Sequence, residues 1–427
     1  MKKFLTLFVI LISASLFAQV GHLMQGIGAV NMSMGGAATA QPLDINSALY
    51  WNPAALSVFD GKILTVNAGL FFSAPELSST VPTPSGPFSG VTKNDKGVSI
   101  MPSVAYVWGK EKSKHTYGIS AFGISGFGVN FPENMSNPIN MPQSYGGFGQ
   151  IKSDYMLFQV GFSYAYKISD KFSVGFTPTI NLAGLQLAPN PTASPTMAGY
   201  PSTNKAYTLG YGGQLGIFYQ NGAGFKLGAN YKSPQFFSDF KFKNTYLDGS
   251  KGDNSFNMNF PAIYSIGTGY STSQFDLALD FRYVDYKNTK GFDKSGWTPT
   301  NSVSGFGWDD IQVVSFGVQY KGISKLPLRA GYTFSSNPIK PELAFFSTPA
   351  TAIIKNAYQL GCGYEFSKKA TINAVFHYGT SDGATSGPMN NPMMVSPSNP
   401  LGAVPGSNIS YDMTTKMIMV GLTYKLN

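Results

Sequence analysis

From Lys62 onward the chain alternates apolar and polar residues with a period of two, as strands do when their two faces meet different surroundings. The clearest run is Tyr155 to Ile168. Met156, Phe158, Val160, Phe162, Tyr164 and Tyr166 share one face, and Gln159, Gly161, Ser163 and Lys167 the other. The next run sets Phe172, Val174, Phe176, Ile180 and Leu182 against Ser173, Gly175, Thr177, Thr179 and Asn181. The last sets Ile418, Val420, Leu422, Tyr424 and Leu426 against Met417, Met419, Gly421, Thr423 and Lys425. The pattern predicts strands near 62–72, 98–109, 115–127, 153–168, 172–187, 206–220, 223–244, 255–271, 274–289, 309–321, 326–335, 356–366, 370–380 and 411–427. That is about fourteen, an even number, as bacterial transmembrane barrels have. A soluble sandwich also alternates, but seldom sustains strands this long with so many aromatics near their ends.

The connections alternate as well. Residues 109–114, 169–171, 221–222, 322–325 and 367–369 are short polar turns, whereas 73–97, 128–152, 188–205, 290–308, 336–355 and 381–410 are long and rich in Pro, Asn, Ser and Gly. Short turns on one side and long loops on the other are the signature of an outer-membrane barrel, and they predict both termini in the periplasm. Composition agrees: 14% aromatic residues, 48 glycines and only 12% charged residues, against about 25% charged in ordinary globular chains. The formal charge of +9 shows no basic run with interleaved aromatics, which argues against nucleic acid and suits anionic lipid head groups or ligands. The single cysteine, Cys362, excludes an internal disulfide.

Residues 1–18 read as a secretory signal, with Lys2 and Lys3 before the apolar run Phe4 to Ile12 and small residues to Ala18. Between signal and strands lies Ser33 to Leu56, which follows neither pattern. Met34-Gly35-Gly36-Ala37 can turn tightly or admit another backbone, Asp44 can cap a helix through Ile45, Ala48 and Leu49, and Asn52 can cap a second with Pro53 at its first position. Two capped turns in a loop would be the plain reading. The run Met34 to Ala37 followed by Asn52-Pro53-Ala54 resembles the N-terminal hatch of the FadL/TodX family, outer-membrane channels for long-chain fatty acids and other hydrophobic molecules. The resemblance implies an all-β transmembrane antiparallel barrel of about 14 strands with a small helical hatch in its lumen. The expected parts are a signal at 1–18, a hatch at 19–58 and a barrel at 59–427.

The third strand reads Gly118 to Gly128, with Gly123, Gly126 and Gly128 in its second half, and glycine inside a strand marks a bulge or bend. In the FadL family this strand is kinked inward and opens a hole through which hydrophobic substrates pass sideways into the membrane, so the resemblance implies a lateral opening here. It also implies a substrate groove between the loops after the third and fifth strands. Phe131, Met135, Ile139 and Met141 stand in the first loop and Leu187, Pro191 and Met197 in the second; packing of the loops on one another is the competing reading. Arg282 and Arg329, the only arginines, fall on lumen-facing positions and are candidates for a ligand carboxylate, as are Lys226 and Lys232. Asp276, Asp280 and Arg282 share one strand face and read as a ladder that holds the hatch.

Catalytic chemistry finds little footing. His22, His115 and His377 are scattered, and no Gly-x-Ser-x-Gly, His-Glu-x-x-His or Cys-x-x-Cys motif occurs. His377 reads as a solvated lumen residue, and Asp309-Asp310 lacks the further oxygen ligands a cation needs. The sequence therefore points to no enzyme, no metal and no cofactor, and to hydrophobic small molecules and outer-membrane lipids as partners. A PorV-like component of type IX secretion handling cargo proteins is the alternative; a general polar porin is disfavoured, because a hatch blocks a wide aqueous path.

Overall fold

The computed structural model describes residues 21–110 and 113–426, so the expected signal at 1–18 lies outside the described residues. Its frame is a closed antiparallel barrel of fourteen strands. These are β1 Gly61–Thr83, β2 Ser99–Gly109, β3 His115–Phe131, β4 Ile151–Lys167, β5 Phe172–Ala188, β6 Ala206–Gln220 and β7 Phe225–Lys232, then β8 Ala262–Ser271, β9 Phe275–Asp285, β10 Ile311–Tyr320, β11 Leu328–Ser335, β12 Asn356–Glu365, β13 Ala370–Thr380 and β14 Asn408–Leu426. Each pairs with its sequence neighbours, and β1 closes on β14 from Lys62↔Leu426 to Thr80↔Asn408.

The period of two becomes two surfaces. On β6, Tyr207, Leu209, Tyr211, Leu215 and Ile217 are exposed outward while Thr208, Gln214 and Phe218 are buried inward. A belt of bare Leu, Ile, Phe and Tyr around the whole wall is tolerable only against lipid. At the turn end Trp108 stacks on Tyr106 and Tyr117 with ring centroids 5.5 and 5.7 Å apart, part of an interfacial girdle.

Strand boundaries depart furthest from expectation in three places. β1 runs past 72 to Thr83 and turns into a hairpin with Gly86–Lys93. Beyond Ser73 its outward residues include Glu76 and Ser78, so the lipid signature fades while the pairing continues. The seventh strand stops at Lys232 instead of 244, because Pro234 cannot donate to the ladder. Phe240–Thr245 instead pairs with Lys251–Phe256 and touches Ser202–Thr203 in a separate small sheet among the loops, and β8 begins at Ala262 instead of 255.

The segment before β1 folds inside the barrel. It carries α1 (Gly28–Ser33), α2 (Ile45–Trp51) and a 3₁₀ stretch, Pro53–Val58. Asp44 caps α2 as expected, accepting from Ser47 N at 3.0 Å in a reciprocal box, and Asn52 caps the 3₁₀ stretch through Ala54 N at 3.1 Å. Every residue from Gly26 to Ser57 except Leu43 is buried, so this is a plug and not a linker.

Candidate functional site

The plug is held where its backbone meets the backbone of the wall. Gly35 and Gly36 have φ of +66° and +75°, and a Cβ on Gly36 would fall 1.8 Å from Gln25 O. The wall answers with its own glycines: a Cβ on Gly331 would lie 2.0 Å from Gly35 N, and one on Gly317 2.5 Å from Met34 O. Side chains on either partner would lift the plug off β10 and β11. Arg282 Nη2 donates to Gly36 O at 2.6 Å and to Asp280 Oδ2 at 2.6 Å, while that oxygen accepts from Ala38 N and Thr39 N at 2.8 and 2.9 Å. Asn52 Nδ2 donates to Thr39 O at 2.7 Å and to Ile217 O on β6 at 2.9 Å. Pro53 and Ala54 press on Gly175, where a Cβ would come within 2.3 Å of Ala54 N.

Next to the plug, the wall is unzipped along one seam. β3 pairs with β2 from Thr116 to Phe122. Beyond that point, among the strands of the wall, Ser99–Pro102 pair with β1 alone and Gly123–Phe131 with β4 alone, while Leu23 of the plug bridges Ser125. A bulge at Ile124, between Gly123↔Phe158 and Ser125↔Leu157, turns β3 away. The seam closes again near the loop end, where Asp95 N donates to Asn130 O and Asn130 N to Asn94 Oδ1, both at 2.7 Å. The result is a window framed by protein. Backbone groups freed at membrane depth need protein partners, and the plug supplies them. Met24 N donates to Ile124 O at 3.1 Å, and Gly126 N and Ser125 Oγ donate to His22 O at 3.2 and 2.9 Å.

A cavity of about 350 Å³ lies behind the window. Leu23, Met24 and Met32 of the plug, Phe71, Met101, Phe127, Tyr155, Met413 and Met417 of the wall, and the outward-facing Ile100 and Met156 line it, with His377, Lys96 and Asp154 as its ionisable groups besides His22. His22 itself is stacked into an aromatic cage. The rings of Phe127, Tyr155, Phe260, Tyr286, Phe292 and Trp308 centre 5.1 to 6.1 Å from its own, and Tyr286 shares a 2.8 Å hydrogen bond with Nδ1. Burial among these rings pulls its pKa down from 6.5 to about 3.

The profile of one protein family, outer membrane protein transport protein (OMPP1/FadL/TodX), matches residues 13–427. The chain belongs to this family. The FadL/TodX barrel is also what its fold matches among solved structures. The Pseudomonas putida toluene transporter TodX superposes with a TM-score of 0.68 at 17% identity, over 94% of this chain and 99% of that one. A Pseudomonas aeruginosa FadL homologue gives 0.73 at 14%, over 96% and 100%, and the Ralstonia pickettii toluene transporter TbuX 0.63 at 16%, over 94% and 99%. No curated protein matches the sequence.

Within this FadL/TodX barrel, the residues singled out from the sequence fall into distinct places. Met34, Gly35, Gly36, Asn52, Pro53 and Ala54 all make the plug contacts above. Gly126 and Gly128 line the cavity; Gly123 does not, and a Cβ there would meet nothing closer than Pro102 O at 4.0 Å, so the bulge and not this glycine turns the strand. Arg282 does not reach the cavity: its guanidinium lies 3.6 Å from the Trp51 ring and holds the plug. Arg329 is taken up by Gln319 at 2.7 Å and Asn373 at 3.0 Å. Lys226 is bound to Gln41 at 2.8 Å, and Lys232 rests 3.9 Å over the Tyr50 ring. A lumen filled by a plug gives wall cations partners before any ligand arrives. His377 is buried between Gln359 and Thr415, at 3.2 and 3.3 Å.

The loops differ from a two-loop groove. Phe131, Ile139 and Leu187 are buried in the core, Met141 is half-buried, and Met135 is exposed. A small apolar pocket of about 50 Å³ does exist, but four loops build it, and of these five residues Ile139 alone lines it, beside Phe148, Pro189, Trp297 and Phe345. Trp297, Phe345, Met413 and the cage rings went unrecognised in the sequence. The signal was present in Trp297, Phe306, Trp308 and Phe345-Phe346, large apolar residues in loops that should face water.

Proposed function

We propose that this FadL/TodX-family chain passes hydrophobic molecules, long-chain fatty acids foremost, from the loop end into the cavity and out sideways through the window between β2 and β3. In this reading the long loops face the cell exterior and both termini the periplasm. The observation that carries it is the one-sided loss of pairing between Ser99–Pro102 and Gly123–Phe131, with an apolar cavity reaching outward-facing Ile100 and Met156. A lateral exit keeps an acyl chain in apolar surroundings, worth about 0.8 kcal/mol for each CH₂. The test is a Cys362→Ser protein carrying Ile100→Cys and Gly126→Cys, bridged across the window by a short bis-maleimide. Uptake of labelled palmitate should fall to background on bridging and stay normal in each single-cysteine control. Undiminished uptake by the bridged protein would rule out the lateral route. The aromatic side chains Phe71, Phe127 and Tyr155 along the cavity suit a second cargo by the same route, monocyclic aromatic hydrocarbons such as the toluene named for TodX and TbuX. Competition between toluene and palmitate for uptake separates the two.

A further inference from the structure

The short turns that close the strands are not charged evenly around the barrel. The turns at 221–224, between β6 and β7, and 272–274, between β8 and β9, hold no ionisable side chain. On the window side, the turn ends of β1 to β5 carry Lys62, Lys110, Lys114, Lys167 and Lys171. Asp60 and Asp170 are the only carboxylates described among them, and Glu111 and Lys112 of the β2–β3 turn cancel in charge. All but the half-buried Lys167 are exposed, and among the described residues no ammonium of the five has a hydrogen-bond or ion-pair partner. Lysines of the loop end behave otherwise: Lys93, Lys96, Lys205, Lys243, Lys287 and Lys340 each find a carboxylate.

Beside these free lysines runs a belt of rings. Tyr106, Trp108, Tyr117 and Tyr164 face outward on β2, β3 and β4, with successive centroids 5.5, 5.7 and 5.3 Å apart. Trp and Tyr sit at head-group depth, which puts the ammonium groups beyond them level with the phosphates. Lys62 is the register partner of Trp108 and is exposed on the same outward face. That face continues the lipid belt, so what meets it is lipid and not a soluble partner. Unpaired cations there match a head group whose phosphodiester keeps its negative charge. A zwitterionic head group brings its own ammonium and gains less.

We propose that this rim docks acidic phospholipid, the lysines of the β1–β5 turn ends taking the phosphodiester of a phosphatidylglycerol-type head group while Trp108 and its neighbouring rings hold the glycerol end of the acyl chains. Trp108 itself reports the site. Of the four tryptophans, Trp51 and Trp308 are buried and Trp297 is half-buried among the loops, so Trp108 alone meets lipid. The protein is reconstituted in mixed vesicles of phosphatidylglycerol and phosphatidylcholine, one or the other brominated near the head-group end of an acyl chain. Bromine quenches a ring it touches, so quenching against vesicle composition gives the relative affinity at Trp108. Phosphatidylglycerol should be preferred about fivefold, the scale of one lysine at an acidic membrane surface. The preference should vanish at about 1 M salt, where the Debye length shrinks to about 3 Å. Lys62→Gln/Lys110→Gln/Lys114→Gln should abolish it in low salt, and arginine at the same three positions should keep it. Heat-modifiability confirms that each barrel is folded. Equal quenching by the two lipids in the native chain, or a preference that outlasts the glutamine changes, overturns the docking site. Cargo uptake plays no part in the measurement, so its result does not depend on the lateral route.

Discussion

Asp280 Oδ2 and Arg282 Nη2 lie 2.6 Å apart on the inner face of β9, and together they grip the turn of the plug from Gly36 to Thr39. The pair is buried, with side-chain exposures of 3% for Arg282 and 0% for Asp280. Breaking such a pair strands the surviving charge and costs about 3–5 kcal/mol, whereas removing both charges costs less. Asp280→Ala should therefore loosen the plug while leaving strand pairing intact. Planar bilayers should show new conductance steps, and protease should reach the segment at 21–60. The double variant Asp280→Ala/Arg282→Met should leak less than Asp280→Ala. Equal leakage would assign the plug's hold to other contacts.

Gly331 makes the same point with no charge involved. A Cβ there meets Gly35 N at 2.0 Å and Met34 C at 2.6 Å, both backbone. Nothing flexible is available to give way, so Gly331→Ala should displace the plug as Asp280→Ala does. Gly123→Ala, with open space at its Cβ, should leave conductance and uptake unchanged.

Orientation is tested from outside. Single cysteines at Ser85 and Ser396, in the long connections, should react with a membrane-impermeant maleimide on whole Cys362→Ser cells. A cysteine at Ser113, in a short turn, should not. The reverse pattern would invert the barrel in the membrane.

The wall was legible because its cause is local: alternation on β4, β5 and β14 reports which neighbour each side chain will meet. Asp44, Asn52 and the Met34–Gly36 run were legible for the same reason, since caps and tight turns are written in adjacent residues. The window is different. Gly123, Gly126 and Gly128 look alike in sequence, yet Gly128 alone makes room for a crossing side chain, that of Lys96, and the strand leaves its neighbour at Ile124. Loss of pairing is a property of two strands and of the plug that replaces one of them. The cage around His22 was hidden for a related reason, as its six rings come from β3, β4 and loop segments far apart in sequence.

The last prediction concerns that histidine. His22 sits among six rings, with Tyr155 and Tyr286 as the titratable groups facing it, and among the described residues burial alone, with no charged neighbour, shifts its pKa. Burial lowers its pKa from 6.5 to about 3, so the docked segment holds a neutral imidazole and a released segment takes up a proton near its ordinary value. The released state thus binds more protons between those two values, and docking weakens as pH falls through that window. It is at full strength above pH 6.5. Each unit below is worth about 1.4 kcal/mol, so at pH 5 the docking equilibrium should have dropped by about 2 kcal/mol, roughly thirtyfold. Asp44 works in the opposite sense, because burial raises it from 3.8 to about 6, but it caps α2 and lies outside the segment that pairs with β3. The readout is therefore local: hydrogen exchange at the Gly126 amide, which donates to His22 O. After correction for intrinsic exchange, its protection should fall about thirtyfold from pH 7.5 to 5 in the native chain and hardly at all in His22→Phe, where the ring fills the cage without a titrating nitrogen. Equal pH profiles in the two proteins would remove His22 as the cause.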